Sequence, residues 1–575
     1  MSSIFLVCMG GSGSKVLEAV THMAAMDAWK GADIHVLTVD VDGGNGNQDR
    51  TSKTIGFYER IRMMNIDPKE SMFTSAIHLY KWMPTLEDSN LLHMAKKGEN
   101  SKSTMLSKFL FSHSEREMSI DNGFKGHPNI GVLFMQTILA SRDPDNKDEL
   151  TGFIDAALNP QNGADRIMLI GSCYGGTGAS CIPVIGRYIR LKTDGKIPMS
   201  LLSILPSFSL KKNSEFAIDP DSNEFPDRVK TVLSTYISEN ILEYYPENDY
   251  NAKPCPLFEK IYLIGSPKPI LFPNYASGKS NQENPATFFD WFACSAIAHY
   301  MRESAQGLKE KAVLTAWVEQ APWNWTIFSA LDFSNLSMKA TRLMIAVGLF
   351  MSEIHLSMDS LLSTNTNTNQ NYIEMYFRNV PTAGFEKLRL GLDAFSQYSA
   401  TLVLWFYHIV THLPANMFPE VDARSRQRLL STEELAQKFK RFNATPNEQI
   451  NLTSLYYQQF FNRMAIFLME KLRQQFWPRG YEDGNSEQKN KQAYLKLYEQ
   501  VFKDSFGKNE EKSLGVLLPC ITDNKVYKKA TSDQLMGRIF AGREYPVTDD
   551  QSIENAIPHM LRSMFAVIDQ MERVC

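Results

Sequence analysis

The chain has 575 residues, 43% hydrophobic, 22% charged and 11% aromatic. That is too long for a small binding module and too apolar for a disordered or fibrous chain. With 60 basic residues against 64 acidic ones, the net charge is −4, so no strong field of either sign is available and no nucleic-acid partner is expected.

Ile4 to Cys8 is a continuous apolar run ending in Gly10-Gly11-Ser12-Gly13-Ser14-Lys15. Val16, Leu17, Val20, Met23 and Ala24 then recur at helical spacing, which predicts strand, glycine turn and helix. Ile34 to Val39 is a second apolar strand, ending in Asp40-Val-Asp42-Gly43-Gly44. Two such strands joined by an amphipathic helix form a βαβ unit, hence a parallel sheet with ligands expected at the carboxyl ends of its strands.

Residues 50–120 are polar and mixed, with short helical patterns and no clear strand. Helices are expected from Asn129 and over Leu150 to Leu158, and a buried strand over Arg166 to Ile170. That strand opens into a second glycine loop, Gly171-Ser-Cys-Tyr-Gly175-Gly176-Thr177-Gly178-Ala179-Ser180, with a helix from Cys181 to Leu191. The alternation continues with strand Met199 to Leu205, helix Asp227 to Tyr245, strand Lys260 to Ile264 and a long apolar helix from Pro285 to Met301. After Asn335 helical periodicity dominates, as in Thr341 to Leu362, Leu455 to Phe476 and Ile557 to Arg573, interrupted by a polar low-complexity tract at Ser363 to Asn371. The expected fold is therefore α/β, a doubly wound and mainly parallel sheet over 1–284, a central helix and following loop over 285–335, and a mainly helical region over 336–575.

Glycine allows close backbone approach, so successive N–H groups and a helix N-terminus can face phosphate oxygens. Two such loops suit a ligand with two or three phosphates. The first is not a Walker A loop, because Ser14 precedes Lys15 and Val16 follows it. A dinucleotide fingerprint starting at Gly11 finds Val16 at its third glycine, although Asp40 stands where a ribose-binding acid would, so an NAD-dependent oxidoreductase remains an alternative.

The stretch from Gly163 to Ser180, with its Gly-Gly-Thr-Gly between strand and helix, resembles the glycine-rich signature of the tubulin and FtsZ superfamily. Gly10 to Ser14 resembles that family's first phosphate loop, Asp40-Val-Asp42 its second, and Gly123-Phe-Lys125-Gly126-His-Pro-Asn-Ile-Gly131 the loop that senses the γ-phosphate. Ile197 to Ser207 resembles its next strand and proline turn. The resemblance spans about residues 1–340. It implies GTP or GDP as ligand, with Mg2+ beside it. The nucleotide would then be held by Gly10, Gly11, Ser12, Gly13, Ser14, Asp40, Asp42, Gly123, Lys125, Gly126, Gly175, Gly176, Thr177, Gly178, Ala179 and Ser180.

The family also places a base acceptor and a stacking aromatic on its central helix. Here Asp290, with Phe288 or Trp291, occupies that position, the alternative being that the aromatics are core and Asp290 a solvated helix charge. The family completes its catalytic site in trans, through an acidic loop of the next subunit. Ala330-Leu331-Asp332-Phe333-Ser334-Asn335 resembles that loop, with Asp332 keeping the first acid and Asn335 replacing the second. An amide can orient water but cannot accept its proton, so slow GTP hydrolysis is implied. The implied partner is another copy of the chain, in head-to-tail association. An alternative is a non-catalytic scaffold, stabilised by nucleotide, whose helical C-terminal half binds a second protein.

The seven cysteines, Cys8, Cys173, Cys181, Cys255, Cys294, Cys520 and Cys575, are scattered without a C-x-x-C pair, a reduced pattern with neither disulfide framework nor zinc site. His408 and His412 sit four apart but lack the glutamate of a metalloprotease motif and a third ligand, so no metal site is expected there. No membrane segment or leader is evident, and a cytoplasmic protein is expected.

Overall fold

A computed structural model describes residues 3–85, 90–92, 101–120, 123–124, 126–143, 147–206, 208–210, 222–237, 243–244, 255–265, 270–272, 284–304, 306–309, 312–317, 372–411 and 532–572, with scattered positions from 339 to 362. Eleven strands are described: β1 (Ser3–Met9), β2 (Asp33–Val39), β3 (Ile77–Trp82), β4 (Ile167–Ser172), β5 (Met199–Ile204), β6 (Phe208–Leu210), β7 (Glu243–Tyr244), β8 (Cys255–Pro256), β9 (Lys260–Gly265), β10 (Ile270–Phe272) and β11 (Ala312–Trp317). Seven of them form one sheet in the order β11-β9-β5-β4-β1-β2-β3. Every pairing in it is parallel.

The helices are α1 (Gly10–Ala25), α2 (Gly46–Met64), α3 (Ser101–Leu110), α4 (His113–Glu117), α5 (Pro128–Ser141), α6 (Glu149–Ala157), α7 (Gly176–Lys192), α8 (Phe225–Ile237), α9 (Phe288–Arg302), α10 (Tyr372–Tyr376), α11 (Phe385–Thr411), α12 (Ser532–Phe540) and α13 (Asp550–Glu572). A parallel sheet must be covered on both faces, and its strands alternate accordingly. Ile4, Leu6 and Cys8 of β1 join a core with α1, α2 and α9, while Phe5, Val7 and Met9 join another with α5, α6, α7 and α8. The described C-terminal helices belong to the first of these cores, with α11 against α2 and α13 against α11. The architecture is thus α/β with helices on both faces and a further helical layer over α1 and α2.

Several sequence expectations are corrected. Residues 50–120 contain most of α2 and an edge strand, β3, whose His78, Tyr80 and Lys81 hide its apolar positions. Among the described strands it pairs with β2 alone, so one flank needs no apolar neighbour. The helix expected up to Tyr245 is described over Phe225–Ile237, and Glu243–Tyr244 instead pairs antiparallel with Cys255–Pro256. Helix α7 begins at Gly176 rather than Cys181, so the second glycine loop is largely its first turn. The long stretch after the central helix supplies β11, which extends the sheet beyond β9. Among residues 339–362, Phe350–His355 is a π-helical turn. Leu455 to Phe476, the tract Ser363 to Asn371 and His412 lie outside the described residues.

The topology reverses between β1 and β4. From β1 the chain moves outward through β2 to β3, then returns to the other side of β1 with β4 and proceeds outward through β5, β9 and β11. Such a reversal leaves a crevice at the strands' carboxyl ends, where the two connections leave in opposite directions. Register makes it level, since Met9 pairs with Val39 and Cys8 with Ile170, so Gly10, Asp40 and Ser172 stand at about one height.

Candidate functional site

Four helices begin at this crevice. The first follows β1 directly, and Gly10 makes the turn with φ of +65°, a left-handed conformation that side chains other than glycine disfavour. A Cβ on Gly10 would lie 3.2 Å from Thr177 Cβ, so the loops after β1 and β4 touch. Helix α7 starts equally close to the sheet, because a Cβ on Gly178 would lie 2.6 Å from the Ser172 carbonyl oxygen. The third loop joins at Gly176, whose Cβ would meet Phe124 at 2.8 Å and the Gly126 nitrogen at 3.0 Å. That loop turns through Gly123 and Gly126, at φ of +77° and +80°, before α5. Gly123 in turn faces Asp42, 3.9 Å from where its Cβ would stand.

The loop after β2 completes the corner and starts α2. Asp40 is buried and turned inward, its Oδ1 accepting from the Asp42 N–H at 3.2 Å and its Oδ2 from Asn45 Nδ2 at 2.9 Å. Burial, with the neighbouring Asp42 charge adding to it and these hydrogen bonds opposing, pushes its pKa up to about 7. Asp42 is also buried and accepts from the Gly44 N–H at 3.1 Å. Asn45 caps α2 by accepting from the Asn47 N–H at 3.0 Å. Asn47 reaches across to the segment before α9, its Oδ1 accepting from the Asn284 N–H at 2.8 Å.

Four helix N-termini, those of α1, α2, α5 and α7, therefore face one corner and concentrate free amide donors and positive dipole ends there. Gly11, Ser12, Gly175, Gly176 and Thr177 stay half-buried at its surface. Ser14 and Ser180 turn their hydroxyls back to the Gly10 and Gly176 carbonyls, at 3.2 and 2.8 Å. Arg228 of α8 donates to the Gly126 carbonyl at 2.8 Å and pairs with Glu224. This arrangement suits an anion with several oxygens.

The crevice thus brings together Gly10 to Ser14, Asp40, Asp42, Gly123, Gly126 and Gly175 to Ser180. Lys125, Asp332 and Asn335 lie outside the described residues. Asp290 is buried as the third residue of α9, where its Oδ2 accepts from the Thr287 N–H and hydroxyl at 2.6 and 2.8 Å and pairs with Lys15 Nζ at 3.1 Å. It is not a solvated helix charge. Phe288 and Trp291 are core residues, Phe288 stacked on Phe292 and the Trp291 indole N–H directed at Met23 Sδ. Asn45, Asn47 and Arg228 carry no signal of their place here in the sequence. The run Asn45-Gly-Asn47 reads simply as a polar turn, and nothing local announces Asn284 as a partner.

The other end of the sheet is fastened to the C-terminal layer. Arg342 pairs with Asp67 at 2.8 Å, both buried, Lys339 with Asp27 and Lys69 with Asp569, while Arg562 donates to the Met64 and Asn65 carbonyls. Asp27 and Asp67 also line a cavity of about 470 Å³ there, away from the glycine loops. Among the described residues no cluster of three or more His, Cys, Asp or Glu could hold a metal ion, and no helix is long and apolar enough to cross a membrane. Compared with protein-family models, with curated proteins and with solved structures, the chain has no match.

Proposed function

We propose that the chain binds a guanine nucleotide in this crevice, in the manner of the tubulin and FtsZ superfamily that its loops resemble. The observation that carries the reading is the meeting of four helix N-termini at the β1/β4 reversal, with glycines where the backbone approaches most closely. Backbone N–H groups of Gly11 to Gly13 and Gly176 to Gly178 are the donors for phosphate oxygens. The preference for guanine rests on the resemblance of the loops, since Asp290 at the start of the central helix is buried and its Oδ2 is held by Thr287 and Lys15. Mg2+ would arrive with the phosphates and find its protein oxygen in Asp42, in keeping with its habit of using few carboxylates and retaining water.

A dinucleotide-dependent oxidoreductase is the weaker reading. It requires Asp40 to accept from a ribose hydroxyl, whereas both Asp40 oxygens are engaged within the β2–α2 loop. Head-to-tail association of copies and slow GTP hydrolysis extend the proposal, and both rest on the loop containing Asp332 and Asn335.

Titration calorimetry of the purified full chain with GTP, GDP, ATP and NAD tests the ligand class. The proposal expects GTP and GDP to bind and NAD not to; binding of NAD alone, or of no guanine nucleotide, rejects it. Sedimentation with GTP and with GDP tests association, and a concentration-independent monomer in both rejects that extension. Phosphate release in the same samples measures turnover, and its absence would favour the non-catalytic scaffold.

A further inference from the structure

We infer that Asn47 is a ligand-contacting residue of this crevice, its side-chain amide donating from α2 to a phosphate oxygen of the bound nucleotide. The inference rests on the nucleotide reading above and adds a donor from a segment outside the glycine loops.

Asn47 is fully buried, and its two ends are unequal. Oδ1 accepts from the Asn284 N–H at 2.8 Å, which fixes the amide's orientation. Nδ2 is left as a buried donor with no hydrogen-bond partner. It lies against the first glycine loop, since a Cβ on Gly11 would stand 3.0 Å from it. Asn45 shows the contrast, with Nδ2 on Asp40 and Oδ1 on the Asn47 N–H, so that both its ends are used. An unpartnered buried donor is costly and uncommon in folded proteins. Here it lies where an arriving ligand would complete it.

The chemistry of the spot selects phosphate over a ribose hydroxyl. Gly11 is in the first turn of α1, whose amides lack intrahelical acceptors, and Asn47 is in the first turn of α2. Both therefore offer donors, with Asn47 Oδ1 turned to the Asn284 N–H. A phosphate oxygen accepts from several such donors at once, whereas a hydroxyl also brings a proton for which the amides of these two helix starts supply no acceptor.

Asn47→Asp is the test, because it keeps the acceptor for Asn284 and replaces the donor with a carboxylate oxygen. Affinities of the full chain for GTP, GDP and GMP are measured by titration calorimetry, with melting of the ligand-free protein as a check on folding. Asn47→Ala repeats the series without added charge, in case the aspartate variant does not fold. The expected result is GTP binding about 10- to 100-fold weaker in Asn47→Asp, with the loss shrinking as phosphates are removed. Unchanged GTP affinity, or one equal loss across all three ligands, overturns the inference while leaving the nucleotide reading intact. Failure of the wild-type chain to bind any of the three overturns the reading itself.

Discussion

Lys15 Nζ lies 3.1 Å from Asp290 Oδ2, and the ion pair joins the helix after the first glycine loop to the central helix, with both side chains buried. Lys15 belongs to one stripe of α1, with Gly11, Glu18 and His22, that faces away from the sheet. Its three side chains after Gly11 each have a partner on a different element: besides Lys15, Glu18 binds Arg50 of α2 through both oxygens, and His22 lies 3.4 Å from the Tyr398 hydroxyl of α11. The stripe is therefore a buried seam between α1 and the helices laid over it. Removing one partner of a buried pair leaves the other uncompensated, at a cost of about 3–5 kcal/mol. Lys15→Met should lose that much in urea denaturation, and Lys15→Met/Asp290→Asn should lose less than the two single variants summed. A single-variant loss below about 1 kcal/mol would mean that the pair is solvated.

Gly178 and Gly56 should respond oppositely to alanine. A Cβ on Gly178 would lie 2.6 Å from the Ser172 carbonyl oxygen and 2.8 Å from its nitrogen, so α7 would have to move away from the end of β4. Gly178→Ala should cost about 1–3 kcal/mol, the usual range for forcing extra volume into packed surroundings. Gly56 lies within α2, is exposed, and a Cβ there meets nothing within 4 Å. Gly56→Ala should stabilise by about 0.5–1 kcal/mol. Thermal melts of the two variants beside the wild type decide the matter, and equal shifts of the same sign would contradict the close packing of α7.

The parts legible in the sequence are those where one local pattern decides the structure. Buried parallel strands need apolar residues on both faces, so Ile4 to Cys8 stands out as a continuous run, and Ile34 to Val39 and Met199 to Leu205 as mainly apolar ones. The loops after β1 and β4 are legible because close approach to the sheet demands glycine at Gly13 and Gly178. Edge strand β3 and helix α2 are not, since α2 has few apolar positions beyond Ile55, Tyr58 and Ile61. The α1 seam is hidden for a different reason. Lys15, Glu18 and His22 at helical spacing read as the solvent side of an amphipathic helix, and their burial depends on Asp290, Arg50 and Tyr398, the last nearly 400 residues away.

Burial makes three histidines a source of acid lability. Desolvation, with Arg50 adding to it, lowers the His22 pKa to about 3, and desolvation lowers His35 and His355 to about 4. As pH falls below about 6.5 the unfolded chain takes up these protons before the native one does. Their effect is therefore full stability above about 6.5 and progressive loss down to about 3–4. His22→Gln, which keeps a polar end toward Tyr398, should show a shallower decline of urea stability over that window. A slope identical to the wild type would show that His22 is not held neutral by burial.

Asp40 works in the opposite direction. Its pKa rises from the ordinary value of 3.8 to about 7, chiefly because burial disfavours the carboxylate. Between those values the native state holds a proton that the unfolded state has released. The contribution is accordingly full below about pH 4, declines up to about pH 7 and is level above it. Asp40→Asn cannot ionise, so its stability relative to the wild type should improve steadily from pH 4 to 7. Neutralising this site should be worth about 1–3 kcal/mol at pH 8, less whatever is lost where the new amide meets Asn45 Nδ2. Urea denaturation of both proteins at pH 4, 5.5, 7 and 8 separates the two contributions, because the Asn45 contact is independent of pH. A stability difference that stays constant across the four pH values would place the Asp40 titration in the ordinary carboxylate range.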